Sequence, residues 1–268
     1  DVKSGRREPF FGGISAEFLD FSKDGQWVAY VTYPEGNLWR SKLDGSERLQ
    51  LTYPPAYVFN PCWSPDGKTI LFYQQSPRGG ESKAYAVSSE GGTPRPLLPE
   101  DALPQVDPNW SPDGSKVVLG PSPGRPEATI RILDMATHQI SDVPGSKGLF
   151  SARFSPDGRY LAGLNSGMTG LFLFDFQTQK WTELAKGSPT WPKFSPDGQY
   201  LYVLDAAGNG AIIRVRLSEH AIEKVADLKN FIMSGTYSSW LSVAPDGSPL
   251  LLRDAGTTDV YSLDWEEP

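Results

Sequence analysis

One five-residue stretch, Trp-Ser-Pro-Asp-Gly, stands at 63–67 and again at 110–114. An aromatic or apolar residue, then Ser or Ala, a variable position and Asp-Gly, recurs six times. The copies are 21–25, 63–67, 110–114, 154–158, 194–198 and 243–247. The intervals from one glycine to the next are 42, 47, 44, 40 and 49 residues, so the copies span the 268-residue chain. That period fits four-stranded propeller blades and is too long for leucine-rich or ankyrin units. A repeat of this size cannot bury its apolar face alone, so its neighbours must stack around a common centre.

The letters are those of a tight turn. Pro presets φ at the second turn position, Asp tolerates the third, and Gly adopts the left-handed conformation without steric cost. Runs rich in β-formers follow each copy: "QWVAYVT", "KTILFYQ", "SKVVLG", "RYLAGLN", "QYLYVLD" and "SPLLLRD". The turns at 22–25, 64–67, 111–114, 155–158, 195–198 and 244–247 therefore join an innermost strand to the next one out. Their aspartates read as turn formers. Third strands are expected at "NLWRSKL", "KAYAVSS", "TIRILDM", "LFLFDFQ" and "AIIRVRL". Fourth strands follow in "RLQLT" and "TPRPLLP"; "HAIEKVADL", helix-like in composition, aligns with two turn–strand pairs and reads as strand.

The expected fold is all-β. It is a single domain over 1–268, a six-bladed β-propeller of four-stranded antiparallel blades. The last repeat ends early, with a third strand near "DVYSLDW", and "RREPF" at 6–10 stands where "RLQLT" stands at 48–52. Residues 6–10 are thus expected to supply the outer strand of the last blade and close the ring.

Net charge is −7 with a sequence pI near 5.0, and no basic cluster exceeds "GRR" at 5–7, which argues against a nucleic-acid surface. No apolar run approaches membrane-spanning length. The chain begins at Asp1 without a signal-peptide pattern, as expected of a mature form or a domain cut from something longer. The single cysteine, Cys62, beside Trp63 in an expected inner strand, reads as a buried thiol. His138 and His220 fall at one repeat position, a turn between third and fourth strands where the fourth repeat has Gln179. Equivalent outer turns of different blades do not meet, so no histidine-based catalytic or metal site is expected. No metal, phosphate-loop or nucleophile motif occurs, and no cofactor is expected.

The Ser-Pro-Asp-Gly turns, with "LDGSERLQLT" and "SSEGGTPRPLL" after them, resemble the PD40 (WD40-like) repeat of TolB-type periplasmic propellers and of prolyl oligopeptidase propellers. Residues 16–55 look closer still to propellers C-terminal to winged-helix domains or protein kinases in bacterial regulators. The resemblance implies a non-catalytic, monomeric binding propeller that recognises a protein, a peptide or a small ligand at the channel mouth. It would act as a sensory or interaction domain of a larger regulator, with the periplasmic side of a membrane-anchored protein favoured as its location. Alternatives are a TolB-like translocation or scaffold protein, and a hydrolase or lyase with its site in the channel. No hydrolase domain accompanies the repeats, and no catalytic residue of the family finds a match.

Recognition on such a scaffold concentrates in loops. The loops leading into the inner strands carry Tyr57, Phe59, Phe150, Trp191, Tyr237 and Trp240. These are expected either to line a mouth or to pack against one another and plug it. One residue before each repeat aromatic stand Asp20, Cys62, Asn109, Arg153, Lys193 and Ser242; three before it stand Asn60 and Asp107. Unpaired buried charge is costly, so these groups should face water in the channel or pair between blades, as Asp107 with Arg153. Arg153 and Lys193 are also candidate holders of a small anion.

Overall fold

A computed structural model describes residues 9–11, 14–75, 81–207, 210–229, 231–237 and 239–254. Five four-stranded antiparallel sheets follow one another in chain order. Blade 1 contains β1 (Ala16–Phe21), β2 (Trp27–Thr32), β3 (Leu38–Lys42) and β4 (Leu49–Gln50). Blade 2 contains β5 (Val58–Trp63), β6 (Thr69–Gln74), β7 (Lys83–Ser88) and β8 (Arg95–Pro96). Blade 3 contains β9 (Val106–Trp110), β10 (Lys116–Gly120), β11 (Arg131–Asp134) and β12 (Ile140–Asp142). Blade 4 contains β13 (Leu149–Phe154), β14 (Tyr160–Asn165), β15 (Gly170–Asp175) and β16 (Lys180–Lys186). Blade 5 contains β17 (Pro189–Phe194), β18 (Tyr200–Asp205), β19 (Ala211–Arg216) and β20 (Ala221–Asp227). The "HAIEKVADL" stretch is a strand, as its alignment required.

The expectation of six four-stranded blades is corrected: among the described residues there are five. Among the described residues the sixth repeat forms only a two-stranded sheet, β21 (Ser242–Val243) with β22 (Pro249–Leu250). Pro249 has no N–H for a longer ladder, and residues 231–237 and 239–241 lie outside strands, with an isolated bridge, Met233 to Arg253. The small sheet sits between blades 5 and 1. Leu241, Val243 and Leu251 pack with Tyr202 and Leu204 of blade 5, and Ser242 Oγ donates to the Leu19 carbonyl of blade 1 at 2.8 Å. The expected third strand near "DVYSLDW" and residues 6–8 of the expected closing strand lie outside the described residues. Pro9 and Phe10 are not in a strand. Phe10 packs instead on Phe21, with ring centroids 5.9 Å apart, and Phe11 on Tyr30 at 5.0 Å.

The repeated turn owes its letters to two sets of contacts. In blade 4, Ser155 Oγ donates to Asp157 Oδ1 at 2.6 Å and accepts from the Tyr160 amide at 2.9 Å. Asp157 Oδ1 also accepts from the Arg159 amide at 3.0 Å, and Gly158 closes the turn at φ 73°. The same Ser–Asp bond holds blades 1, 2, 3 and 5. The proline does more than preset φ. The rings of Pro65, Pro112, Pro156 and Pro245 lie against Gly114, Gly158, Gly198 and Gly25 of the next sheet, 3.4–3.7 Å from where a glycine Cβ would stand. Blade 1, with Lys23 in place of proline, gives Gly67 no such neighbour within 4 Å.

Between the sheets lie apolar layers. Ala162, Leu164 and Leu173 of blade 4 pack with Leu201, Val203 and Val215 of blade 5; Val118, Ile130 and Ile132 of blade 3 pack with Leu161 and Phe174 of blade 4. No helix among the described residues is long and apolar enough to cross a membrane.

Candidate functional site

Every complete blade breaks its inner strand at one place. Three residues before the repeat aromatic, Phe18, Asn60, Asp107, Ser151 and Trp191 have φ between 45° and 55°. The β1–β2, β5–β6, β9–β10, β13–β14 and β17–β18 registers all shift there. A bulge with a left-handed residue re-aims side chains and is frequent beside functional sites. Nothing in the letters announced it, because the five residues share neither size nor polarity.

The ring of residues one before the aromatic binds blade to blade. Asp20 Oδ2 accepts the Trp63 amide at 2.8 Å, and Asn109 Oδ1 accepts the Phe154 amide at 2.9 Å. Between them Cys62 accepts the Trp110 amide, while Asn109 Nδ2 approaches its sulfur at 3.2 Å. Burial, then the Asp20 charge, pushes the Cys62 thiol up to about 12, which makes it a poor nucleophile.

Arg153 Nη2 stands 3.5 Å from Asp107 Oδ2, both side chains less than a tenth exposed. Asn60 Nδ2 donates to the other Asp107 oxygen. Lys193 Nζ stands 3.9 Å from Asp20 Oδ1. Burial raises the Asp20 carboxyl and lowers the Lys193 ammonium, and each partner's charge opposes that shift in the other. Both cations therefore already face a carboxylate. The Asp107–Arg153 pair is the one the sequence spacing suggested.

Aromatic rings gather on the side where chain enters the inner strands. Phe59 lies 5.2 Å from Tyr57, 5.1 Å from Tyr73 and 5.7 Å from Tyr237. Phe18 lies 5.8 Å from Phe59 and 5.6 Å from Trp191, which is 6.0 Å from Tyr237. Of the six aromatics named from sequence, Tyr57, Phe59, Trp191 and Tyr237 thus meet at the mouth. Phe150 does not join them; it is packed between blades 4 and 5 with Leu164 and Leu171. Trp240 is buried in the core that includes Phe18 and Leu250. Phe18 was missed. It occupies the same repeat position as Asn60 and Asp107, and that equivalence was the signal.

Exposed large apolar side chains are unevenly placed. Tyr53, Leu103, Met168, Ile232 and Tyr237, each 45–70% exposed, all lie in loops on the mouth face. Phe10, Ile140 and Ile222 lie on the N-terminal segment or on outer strands. None of the eight belongs to a turn of the opposite face. His138 and His220 are in such turns, at φ 57° and 55°, as is Gln179 at 55°; the shared feature of that position is its backbone. No group of three or more His, Cys, Asp or Glu able to hold a metal ion occurs among the described residues.

No protein-family model matches the chain. Over 123 residues, 43% of this chain and 18% of the relative, it is 28% identical to "Uncharacterized peptidase YuxL" of Bacillus subtilis (strain 168). Over 73 residues, 25% of this chain and 16% of the relative, it is 36% identical to "Tol-Pal system protein TolB" of Rickettsia akari (strain Hartford). The matched segments are less than a fifth of either relative's length. Among solved structures, a "putative TolB" from Agrobacterium tumefaciens superposes with a TM-score of 0.73 over 94% of both chains at 20% identity. The fold is a TolB-type β-propeller. TolB from Acinetobacter baumannii gives a TM-score of 0.67, covering 79% of this chain and 54% of that one, at 20% identity. Oligogalacturonate lyase from Vibrio parahaemolyticus gives 0.62 at 13% identity, over 89% and 74% of the chains. At these identities the likeness is one of fold.

Proposed function

We propose that this propeller is a non-catalytic, TolB-like protein-binding module whose partner docks on the mouth face. The observation that carries this reading is the placement of exposed apolar side chains. Tyr53, Leu103, Met168, Ile232 and Tyr237 stand in loops of one face, and among the described residues the turns of the opposite face carry none of the exposed large hydrophobics. Exposed apolar side chains gathered on the loops of one face of a rigid scaffold favour an interaction site there, and aromatic side chains dominate the energetics of such contacts. The channel beneath supports binding better than chemistry. Its charges are consumed in the Asp107–Arg153 and Asp20–Lys193 pairs, and its thiol is held protonated.

The match to TolB sequence and structure favours a scaffold or translocation partner over the sensory domain of a winged-helix or kinase regulator. The test is co-purification from the native host of the tagged protein and of variants on each face. Tyr53→Ala with Leu103→Ala should remove the co-purifying protein, whereas Gln199→Ala with Glu219→Ala on the opposite face should leave it. Equal loss from both faces, or none from either, would refute the docking face.

A further inference from the structure

The loop that leads into the sixth repeat folds back across the mouth, and its chemistry separates into a plug and a latch. The plug is Tyr237. Its ring lies 5.7 Å from Phe59 of blade 2, 6.0 Å from Trp191 of blade 5 and 6.3 Å from Phe18 of blade 1. Those three rings also touch one another through Phe18, so the socket has walls without its occupant. Phe18 and Trp191 reach it because each stands on the left-handed bulge of its inner strand. Tyr237 nevertheless remains 45% exposed. Its hydroxyl accepts from Gln75 Nε2 at 3.1 Å.

The latch is Thr236 on Glu17. Glu17 is fully buried. One carboxylate oxygen accepts the Thr236 amide at 2.8 Å, and the other accepts the Thr236 hydroxyl. The Tyr57 hydroxyl meets that same Thr236 oxygen at 2.6 Å. Gly235 makes room for this: at φ 115° a Cβ would stand 2.7 Å from Glu17 Oε2. Residues 232–234 are tied down separately, the Ser234 amide donating to the Leu252 carbonyl at 3.1 Å and the Asp254 amide to the Ile232 carbonyl at 2.9 Å. The Thr236 latch therefore holds only the tip from Gly235 to Tyr237, an element small enough to open as a unit. Lids are drawn from the less stable parts of a fold.

We propose that residues 235–237 form a self-occupied lid, in which Tyr237 fills a three-blade aromatic socket that accepts an aromatic side chain from another polypeptide once the lid swings away. The chain's own tyrosine defines the ligand class: a flat ring with a polar tip. The second half rests on the protein-binding reading above; the lid and socket stand without it.

The test uses p-cresol, the tyrosine side chain as a free molecule, with ligand-observed NMR and thermal shift. Tyr237→Ala should bind p-cresol saturably and gain thermal stability from it, while the unaltered protein should not. Gly235→Ala and, separately, Glu17→Gln should raise amide exchange at Thr236 by about tenfold, on the order of one lost hydrogen bond, with exchange in β14 and β18 unchanged. Both should bind p-cresol more weakly than Tyr237→Ala, since Tyr237 still competes. A cooperatively unfolding Tyr237→Ala protein without saturable binding would overturn the socket. Thr236 exchange within twofold of the unaltered protein in both latch variants would overturn the latch. Because the probe needs no partner protein, failure of the docking face would leave these results standing.

Discussion

Replacing Arg153 by Met should be among the most damaging single changes in the channel, and replacing its partner should undo part of the harm. The charges of Arg153 and Asp107 lie 3.5 Å apart, each side chain less than a tenth exposed. At an effective dielectric of about 20 their attraction is about 5 kcal/mol. Desolvation costs several kcal/mol per ion, so the intact pair stabilises the fold by little, whereas removing one member strands the other. In Arg153→Met the Asp107 carboxylate keeps only the Asn60 amide, and the expected loss is about 3–5 kcal/mol. The reverse change is milder. In Asp107→Asn the Arg153 guanidinium still donates to the Ala152 carbonyl at 2.8 Å, and Asn tolerates the φ of 52° that Asp107 adopts. The double variant leaves no buried charge and should recover about 2 kcal/mol relative to Arg153→Met. Urea unfolding of the four proteins at constant m-value measures this directly. Arg153→Met within about 0.5 kcal/mol of the unaltered protein, a typical surface substitution, would refute the reasoning. So would a double variant no more stable than Arg153→Met.

Three further outcomes follow from the repeated turn. Ser155→Ala removes the acceptor of the Tyr160 amide and the donor to Asp157; it should cost about 2 kcal/mol, lowering the melting temperature by roughly 4–8 °C. Pro112→Ala should cost more than Pro196→Ala by about 1 kcal/mol of ring burial. The Pro112 ring rests on Gly158, while Gly247, which follows Pro196 in the repeat order, has no neighbour within 4 Å; differential scanning calorimetry of the pair decides it. The turn carboxylates of Asp24, Asp66, Asp113 and Asp197 are held below the usual range chiefly by their serine donors, Asp113 at about 2. A depressed folded value means that this stability is present above the unfolded Asp value of about 3.9 and is lost as pH falls through the folded one. Acid titration by circular dichroism should therefore show stability declining between about pH 4 and pH 2, and a Ser111→Ala protein, less stable at neutral pH, should lose less of its stability across that window.

The blades were legible because the turn is: Ser, Pro, Asp and Gly at fixed offsets leave few conformations, and period-2 runs follow them. What the letters did not carry is contact between repeats. Proline could be read as a φ restraint, but its seat on the next sheet's glycine required the ring to be assembled. The bulge at Phe18, Asn60, Asp107, Ser151 and Trp191 stayed hidden because it is a backbone property shared by dissimilar side chains. The sixth repeat keeps its turn, so it counted as a blade. Pro249 and the loop before β21 limit its described part to two short strands. At the mouth, Phe150 and Trp240 look like Phe59 and Trp191 in sequence. Only the assembled packing shows that Phe59, though buried, meets the rings of Tyr57, Phe18 and Tyr237 while Phe150 packs between blades 4 and 5.

The central claim is that recognition occupies the mouth face. Its most direct measurement is site-specific photocrosslinking in native-host cells, with the crosslinking residue placed at Tyr53 or Leu103 on that face and at Gln199 or Glu219 on the opposite one. The account predicts one discrete protein adduct from each mouth position and none from the opposite face. Adducts from the opposite positions with none from Tyr53 or Leu103 would contradict it.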